Sequence, residues 1–444
     1  MASESSFETQ ALSPQQALSL AVEKHNAGQL AEAETLYRQT LKVQPDNADA
    51  LHLLGVLADQ SGNPVLAEEL ITKAIALRPD FADALSNLGN VLKKLGKAED
   101  AVDMFQKALG IQPQFPMAHS NLGNALMELG RYGEAVESHQ KALDLQPAFP
   151  MALNNMGSAL AKLERWEDAA GALEKALELQ PDYAEALSNL GNVLAKLGRL
   201  EDAVTSHQKA ISINPGNARA HNNLGSALLD LNQLDDAENC FNKAIALDQG
   251  FADAYDNLGF VFSMHGRFGE AMANHQKALS LKPESADAHA NLGNTLSCLG
   301  RLDEAMDSYN KALAIQPDHV WAGRNLLYVI LNKPGLTPKA LFSEHVRFVE
   351  IHTRDIVKPV EDLANDPAPE RRIRVGYLSS DFRDHPVGNN IYPLLSSHDR
   401  TNFEVFCYAN VLKPDEMTER FRSTADHWRS VLGKSDSEVA GMVR

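Results

Sequence analysis

Two sets of polar residues stand out by type and spacing. Asparagine occurs at Asn87, Asn121, Asn155, Asn189, Asn223, Asn257, Asn291 and Asn325, one every 34 residues. A carboxamide donates and accepts hydrogen bonds at once, so a row of them can hold the backbone of an extended peptide. Such contacts read peptide shape rather than side chains. The plainer alternative is an asparagine copied along with its surroundings that only solvates a helix face. The second set is one residue, His385, in the loop DFRDHPVG. An imidazole titrates near neutral pH and can receive or orient a proton. The plainer alternative is a histidine that caps the next helix or packs against Pro386.

The elements that carry the asparagines repeat with the same period. Alanine recurs at every 34th position from Ala33 to Ala305, and glycine likewise from Gly55 to Gly293. Proline follows the period from Pro45 to Pro317, broken only at Gln249. Nine repeats fit between residues 14 and 319, and a tenth first helix falls near 320–333. Each repeat reads as two helices. Leu85, Leu88 and Val91 recur at helical spacing, as do Ala101, Met104, Phe105 and Ala108. Gly96 marks the turn between them and Pro113 ends the second helix. This Leu-Gly, Ala, Phe, Ala, Pro order resembles the tetratricopeptide repeat. Such repeats stack into an α-solenoid, a superhelix with a long concave surface.

Helical geometry places the asparagines. Counting from the first residue of each repeat, positions 4, 7, 8 and 11 cluster on one side, which predicts the buried side. Position 6, the asparagine, is then expected to point away from it. The first two repeats have Ser19 and Leu53 there. Position 2 of the same face varies freely, running Asp83, Met117, Met151, Glu185, Arg219, Asp253. His139, His207 and His275 take an inward position held elsewhere by Phe105, Phe241 and Tyr309, so core packing is expected of them. Asp80, Asp182 and Asp318 at repeat ends read as caps and solvated loops.

Beyond the repeats a helical pattern spans 337–357, with Thr337 as cap and Pro338 at the first helical position. Residues 361–372, EDLANDPAPERR, read as a linker. The period then changes. IRVGYLSS at 373–380 reads as a buried parallel strand, FEVFCYAN at 403–410 as a second, and HWRSVL at 427–432 as a third. Helices are expected at 387–396 and 414–423, and another begins at SDSEVAGMVR. The expected organisation is a repeat array over 14–333, a helical linker region over 334–370, and an α/β, Rossmann-like region over 371–444. Three strands without return strands make about half of a doubly wound domain. The sequence therefore reads as a fragment, or as a chain that a partner completes.

Composition narrows the function. The chain has 444 residues and a formal net charge of −18. Residues 371–444 carry 11 basic and 10 acidic side chains, so the first 370 carry a net −19. That balance opposes general binding to nucleic acid or anionic membranes. Cys240, Cys298 and Cys407 form no CxxC pair, which reads as a reducing compartment without a metal site. No signal peptide or membrane helix is legible, so a cytoplasmic location is expected. The oligomeric state is not legible.

The asparagine ladder, the segment RVGYLSSDFRDHPVG and FEVFCYAN together resemble the O-GlcNAc transferase family, protein glycosyltransferases with tetratricopeptide repeats before a two-lobed GT-B catalytic region. The resemblance implies that the repeats bind acceptor polypeptides through the ladder. It implies transfer of N-acetylglucosamine from UDP-GlcNAc to Ser or Thr hydroxyls, with no metal or resident cofactor. His385 matches the loop histidine expected near the acceptor hydroxyl and the nucleotide sugar. Spindly-type fucosyltransferases share the layout but usually have Ser where Pro386 stands. Gly388, Asn389 and Asn390 look more like bacterial members. The resemblance also places the nucleotide pocket in a second lobe beyond Arg444, so the chain by itself is expected not to turn over UDP-GlcNAc. The other reading is a non-enzymatic repeat scaffold that binds peptides or partner proteins.

Overall fold

A computed structural model describes residues 13–333, 337–353 and 371–443. The chain divides into two compact units, residues 1–354 and 355–444. Residues 354–357 of the expected helix and 361–370 of the expected linker lie outside the described residues.

The first unit is an α-solenoid. Helices α1 (Pro14–Asn26) to α19 (Val320–Asn332) alternate, first helices of 13 residues with second helices of 14. The turn inside each repeat needs a left-handed residue, filled by glycine in seven repeats, for example Gly96 at φ +73°. Glu164 and Asn232 take the same conformation at φ 59°. The periodic alanines from Ala33 to Ala305 are all fully buried, where any larger side chain would push paired helices apart.

The periodic glycines answer to a different demand. A Cβ at Gly89 would lie 2.7 Å from the Phe105 ring, and one at Gly191 2.6 Å from the His207 ring. The large inward side chain of each second helix thus fills the notch left by glycine on the first. Sequence periodicity, close helix approach and core packing are one feature.

First helices of successive repeats touch one another along the whole array, whereas second helices are spaced further apart. The stack therefore curves with its first helices inside, which sets the ladder on the concave side. Asp80, Asp182 and Asp318 are not helix caps; the N-cap positions are Phe81, Tyr183 and His319, and the aspartates lie in the preceding turns. Of these cap residues, His319 bonds the helix through its side chain, accepting from the Ala322 N–H. A further helix, α20 (Pro338–Thr353), packs on α19.

The second unit is a three-stranded parallel sheet with helical crossovers, the first part of an α/β lobe. The order is β1 (Ile373–Ser379), α21 (Pro386–Ser396), β2 (Phe403–Ala409), α22 (Glu416–Thr424), β3 (His427–Ser430) and α23 (Asp436–Val443). The strands lie in sequence order, with Val375 beside Val405 and Cys407 beside Trp428. The core gathers Phe382, Leu395, Val405, Cys407, Ala409, Val411 and Phe421. Among the described residues, Ile373 and Leu378 of β1 are 49% and 62% exposed. Among the described residues β1 pairs with β2 alone, on one side.

Candidate functional site

All eight ladder asparagines are half-buried, not fully exposed. Each first helix lies against the next, and the carboxamides occupy that seam. Asn189 Nδ2 donates to Asn154 Oδ1 at 2.9 Å. Asn257 donates to Asn222 Oδ1 at 3.0 Å and Asn291 to Asp256 Oδ2 at 3.0 Å. Asn87 donates to His52 Nε2 at 2.9 Å. Burial holds the His52 imidazole below its ordinary value, which favours the neutral ring, and the donor-only Asn87 NH2 makes Nε2 its acceptor. In all four cases the partner is at position 5 of the preceding repeat, 35 residues back. Asn155 instead reaches Asn124 at 2.8 Å, and Asn325 bonds the buried Tyr309 hydroxyl.

Asparagine at position 6 therefore has an internal duty. It ties neighbouring first helices together through one N–H. At Asn87, Asn257 and Asn291 the other N–H has no partner among the described residues, whereas Asn189 Nδ2 also donates to Ser158 Oγ at 3.2 Å. The carbonyl oxygens of Asn87, Asn189, Asn257 and Asn291 have no partner among the described residues. Asn121 and Asn223 make no side-chain hydrogen bond among the described residues. The partners at position 5 were missed from sequence. Their signal was a polar residue directly before the ladder: His52, Ser86, Ser120, Asn154, Ser188, Asn222 and Asp256.

The loop after β1 is built tightly. Phe382 is buried against Phe421 and Trp428, with ring centroids 5.0 and 5.6 Å away, which pins the loop to the sheet. A Cβ at Gly388 would meet the carbonyl oxygens of Arg383 and Asp381, so only glycine lets the loop fold back over the start of α21. Asp415 accepts from the Asp384 N–H at 2.7 Å and caps α22 as well, joining the ends of two crossovers. These bonds hold its carboxyl below the usual range.

His385 is the N-cap of α21. Its Nδ1 accepts from the Val387 N–H at 3.2 Å and lies 3.7 Å from Asp381 Oδ1. Its side chain is 37% exposed. With Nδ1 accepting, the neutral ring carries its proton on Nε2. In this geometry the outer nitrogen offers a hydrogen bond to an oxygen; it becomes a proton acceptor only when the ring gives up the cap.

Tetratricopeptide repeat models match residues 18–82, 70–103, 89–164, 148–250 and 286–319. The model of glycosyl transferase family 41 matches residues 340–432, which contain most of α20, the His385 loop and all three strands. The chain joins a tetratricopeptide-repeat array to a glycosyltransferase family 41 segment.

Relatives of this chain include two plant proteins. One, from Solanum lycopersicum, is called a probable UDP-N-acetylglucosamine–peptide N-acetylglucosaminyltransferase SPINDLY; it is 37% identical over 84 residues, 18% of this chain and 9% of that protein. Another, named SEC, from Arabidopsis thaliana, is 38% identical over 76 residues, 16% of this chain and 8% of that protein. The matched segments thus span about a tenth of the length of these curated relatives. An O-GlcNAc transferase mutant from Thermobaculum terrenum is 30% identical, over 51% of this chain and 43% of that one, with a TM-score of 0.42, too low to bear on the fold.

Among the described residues no three His, Cys, Asp or Glu side chains are arranged to hold a metal ion. No helix among them is long and apolar enough to cross a membrane.

Proposed function

We propose that this chain belongs to a cytoplasmic protein O-GlcNAc transferase, which takes N-acetylglucosamine from UDP-GlcNAc and passes it to Ser or Thr of polypeptides held in the repeat groove. The carrying observation is the combination in one chain of a concave-side ladder, Asn87 to Asn325, and a family-41 loop presenting His385. In most repeats the ladder amide keeps a carbonyl available and, Asn189 aside, an N–H as well, which suits peptide backbone. In transfer, the acceptor hydroxyl oxygen bonds to the sugar anomeric carbon, the bond to the diphosphate oxygen breaks, and the hydroxyl proton leaves. His385 Nε2 stands for the contact with an oxygen of acceptor or donor.

The test uses the protein isolated from its source cells. Radiolabel from UDP-GlcNAc should appear on Ser/Thr-rich acceptor peptides. Label from GDP-fucose alone would assign the other sugar. Peptide binding with neither transfer would favour the scaffold reading.

A further inference from the structure

The amide of Asn189 is oriented by a chain of bonds that starts at a carboxylate. Glu185, an exposed position-2 residue, accepts from Asn154 Nδ2 at 3.2 Å. A carboxylate has no proton to give, so Asn154 must turn its NH2 toward Glu185. The same NH2 lies 3.3 Å from Asn155 Oδ1. Asn154 is fully buried, and its Oδ1 therefore faces the other way, where Asn189 Nδ2 donates to it at 2.9 Å. Ser158 gives an independent check. Its hydroxyl donates to the Asn154 backbone carbonyl at 3.1 Å, so its oxygen accepts from Asn189 Nδ2 at 3.2 Å. Every bond in the set agrees on direction. The result leaves Asn189 Oδ1 with no partner among the described residues. At the next carboxylate in the row no relay is needed: Asp256 itself forces Asn291 to donate, at 3.0 Å.

We infer that Glu185, acting through Asn154, is a positioning residue that fixes which end of the Asn189 amide meets the backbone of a bound peptide. The inference rests on reading the groove as a peptide site. Without an acceptor-only group at 185, Asn154 can flip, and Asn189 follows as the Ser158 hydroxyl turns from the Asn154 backbone carbonyl to donate to it. A flipped ladder amide offers two N–H groups where its neighbours offer a carbonyl, and the match to an extended backbone is lost at that rung.

The test is a double-mutant cycle on the whole 444-residue chain. The probe is an uncharged, dye-labelled short peptide of Ser, Thr, Ala and Pro, so that the lost charge exerts no long-range pull. Glu185→Gln keeps the size of the side chain but can donate or accept. It should weaken binding by about threefold to tenfold, the scale of one hydrogen bond. In an Asn189→Ala background the same change should do nothing, because the group it orients is gone. Melting midpoints should not move with Glu185→Gln, since the side chain is exposed. Wild-type affinity in Glu185→Gln, or an equal loss in the Asn189→Ala background, overturns the inference while the groove reading stands. No binding by the wild-type chain overturns both.

Discussion

His275 Nδ1 lies 2.6 Å from the carboxylate of Asp256, deep between the two helices of one repeat. The equivalent histidines, His139 and His207, have no such partner. Position 5 of their repeats is Ser120 or Ser188 instead of aspartate. Neither ring nitrogen of His139 has a hydrogen bond, nor does Nδ1 of His207. The carboxylate of Asp256 also receives Asn291, so one acidic side chain serves both the core and the ladder. Identical repeat positions thus sit in different electrostatic surroundings.

Acid should destabilise the array through the two unpartnered rings. Burial, with Lys93 adding to it at His139, pushes both His139 and His207 from 6.5 down to about 4. The unfolded chain binds protons first, so stability is full above pH 6.5, falls as pH drops toward about 4, and levels off below. Each ring accounts for roughly 3 kcal/mol across that window. Urea titrations at pH 7 and pH 5 should show the loss. A His139→Phe, His207→Phe double variant, which copies the residues at Phe105 and Phe241, should flatten it.

Glycine to alanine should have opposite effects at two helical sites. At Gly191 the new Cβ would sit 2.6 Å from the fully packed His207 ring, costing about 1–3 kcal/mol. At Gly171, inside Trp166–Leu179, nothing lies within 4 Å, and helix propensity should gain up to about 1 kcal/mol. Thermal melts of the two single variants decide it; equal shifts would refute the notch-and-knob account.

Ladder residues should separate into two kinds. Asn189→Ala leaves the buried Asn154 carbonyl without its donor and should cost about 1–2 kcal/mol of stability. Asn223 makes no such tie, and Asn223→Ala should stay within about 0.5 kcal/mol of wild type. Both should weaken binding of many unrelated peptides alike. Calorimetry beside fluorescence anisotropy distinguishes the effects. Asn223→Ala with unchanged peptide affinity would leave that asparagine without a role in the groove.

His385 can be tested apart from its capping bond. Asparagine is as good a cap as any residue, so His385→Asn should keep the stability of the second unit. His385→Ala should lose about 1 kcal/mol. If the ring itself contacts acceptor or donor, both variants of the source protein should lose most sugar transfer. Activity retained in His385→Asn would reduce the histidine to a cap.

Much of the architecture was legible because it is local and periodic. A 34-residue recurrence of Ala33, Gly55 and Pro45 types defines helix, turn and helix, and the inward row from Tyr37 to Tyr309 follows from helical geometry. The parallel strands and their crossovers were also readable within a residue or two, as was the core placement of His139 and His207. Three things came only with tertiary structure. Position 6 is half-buried because stacked repeats bring it against position 5 of the previous one, a partner set by the superhelical offset and not by the 3.6-residue turn. The residue-by-residue register of β1 on β2, Ile373 beside Phe403 to Ser379 beside Ala409, comes from the packing of the crossover and not from the strand's own residues. And His385 turns its Nδ1 inward because Gly388 lets the loop close onto the first turn of α21, so backbone packing, and not residue type, decides which nitrogen faces out.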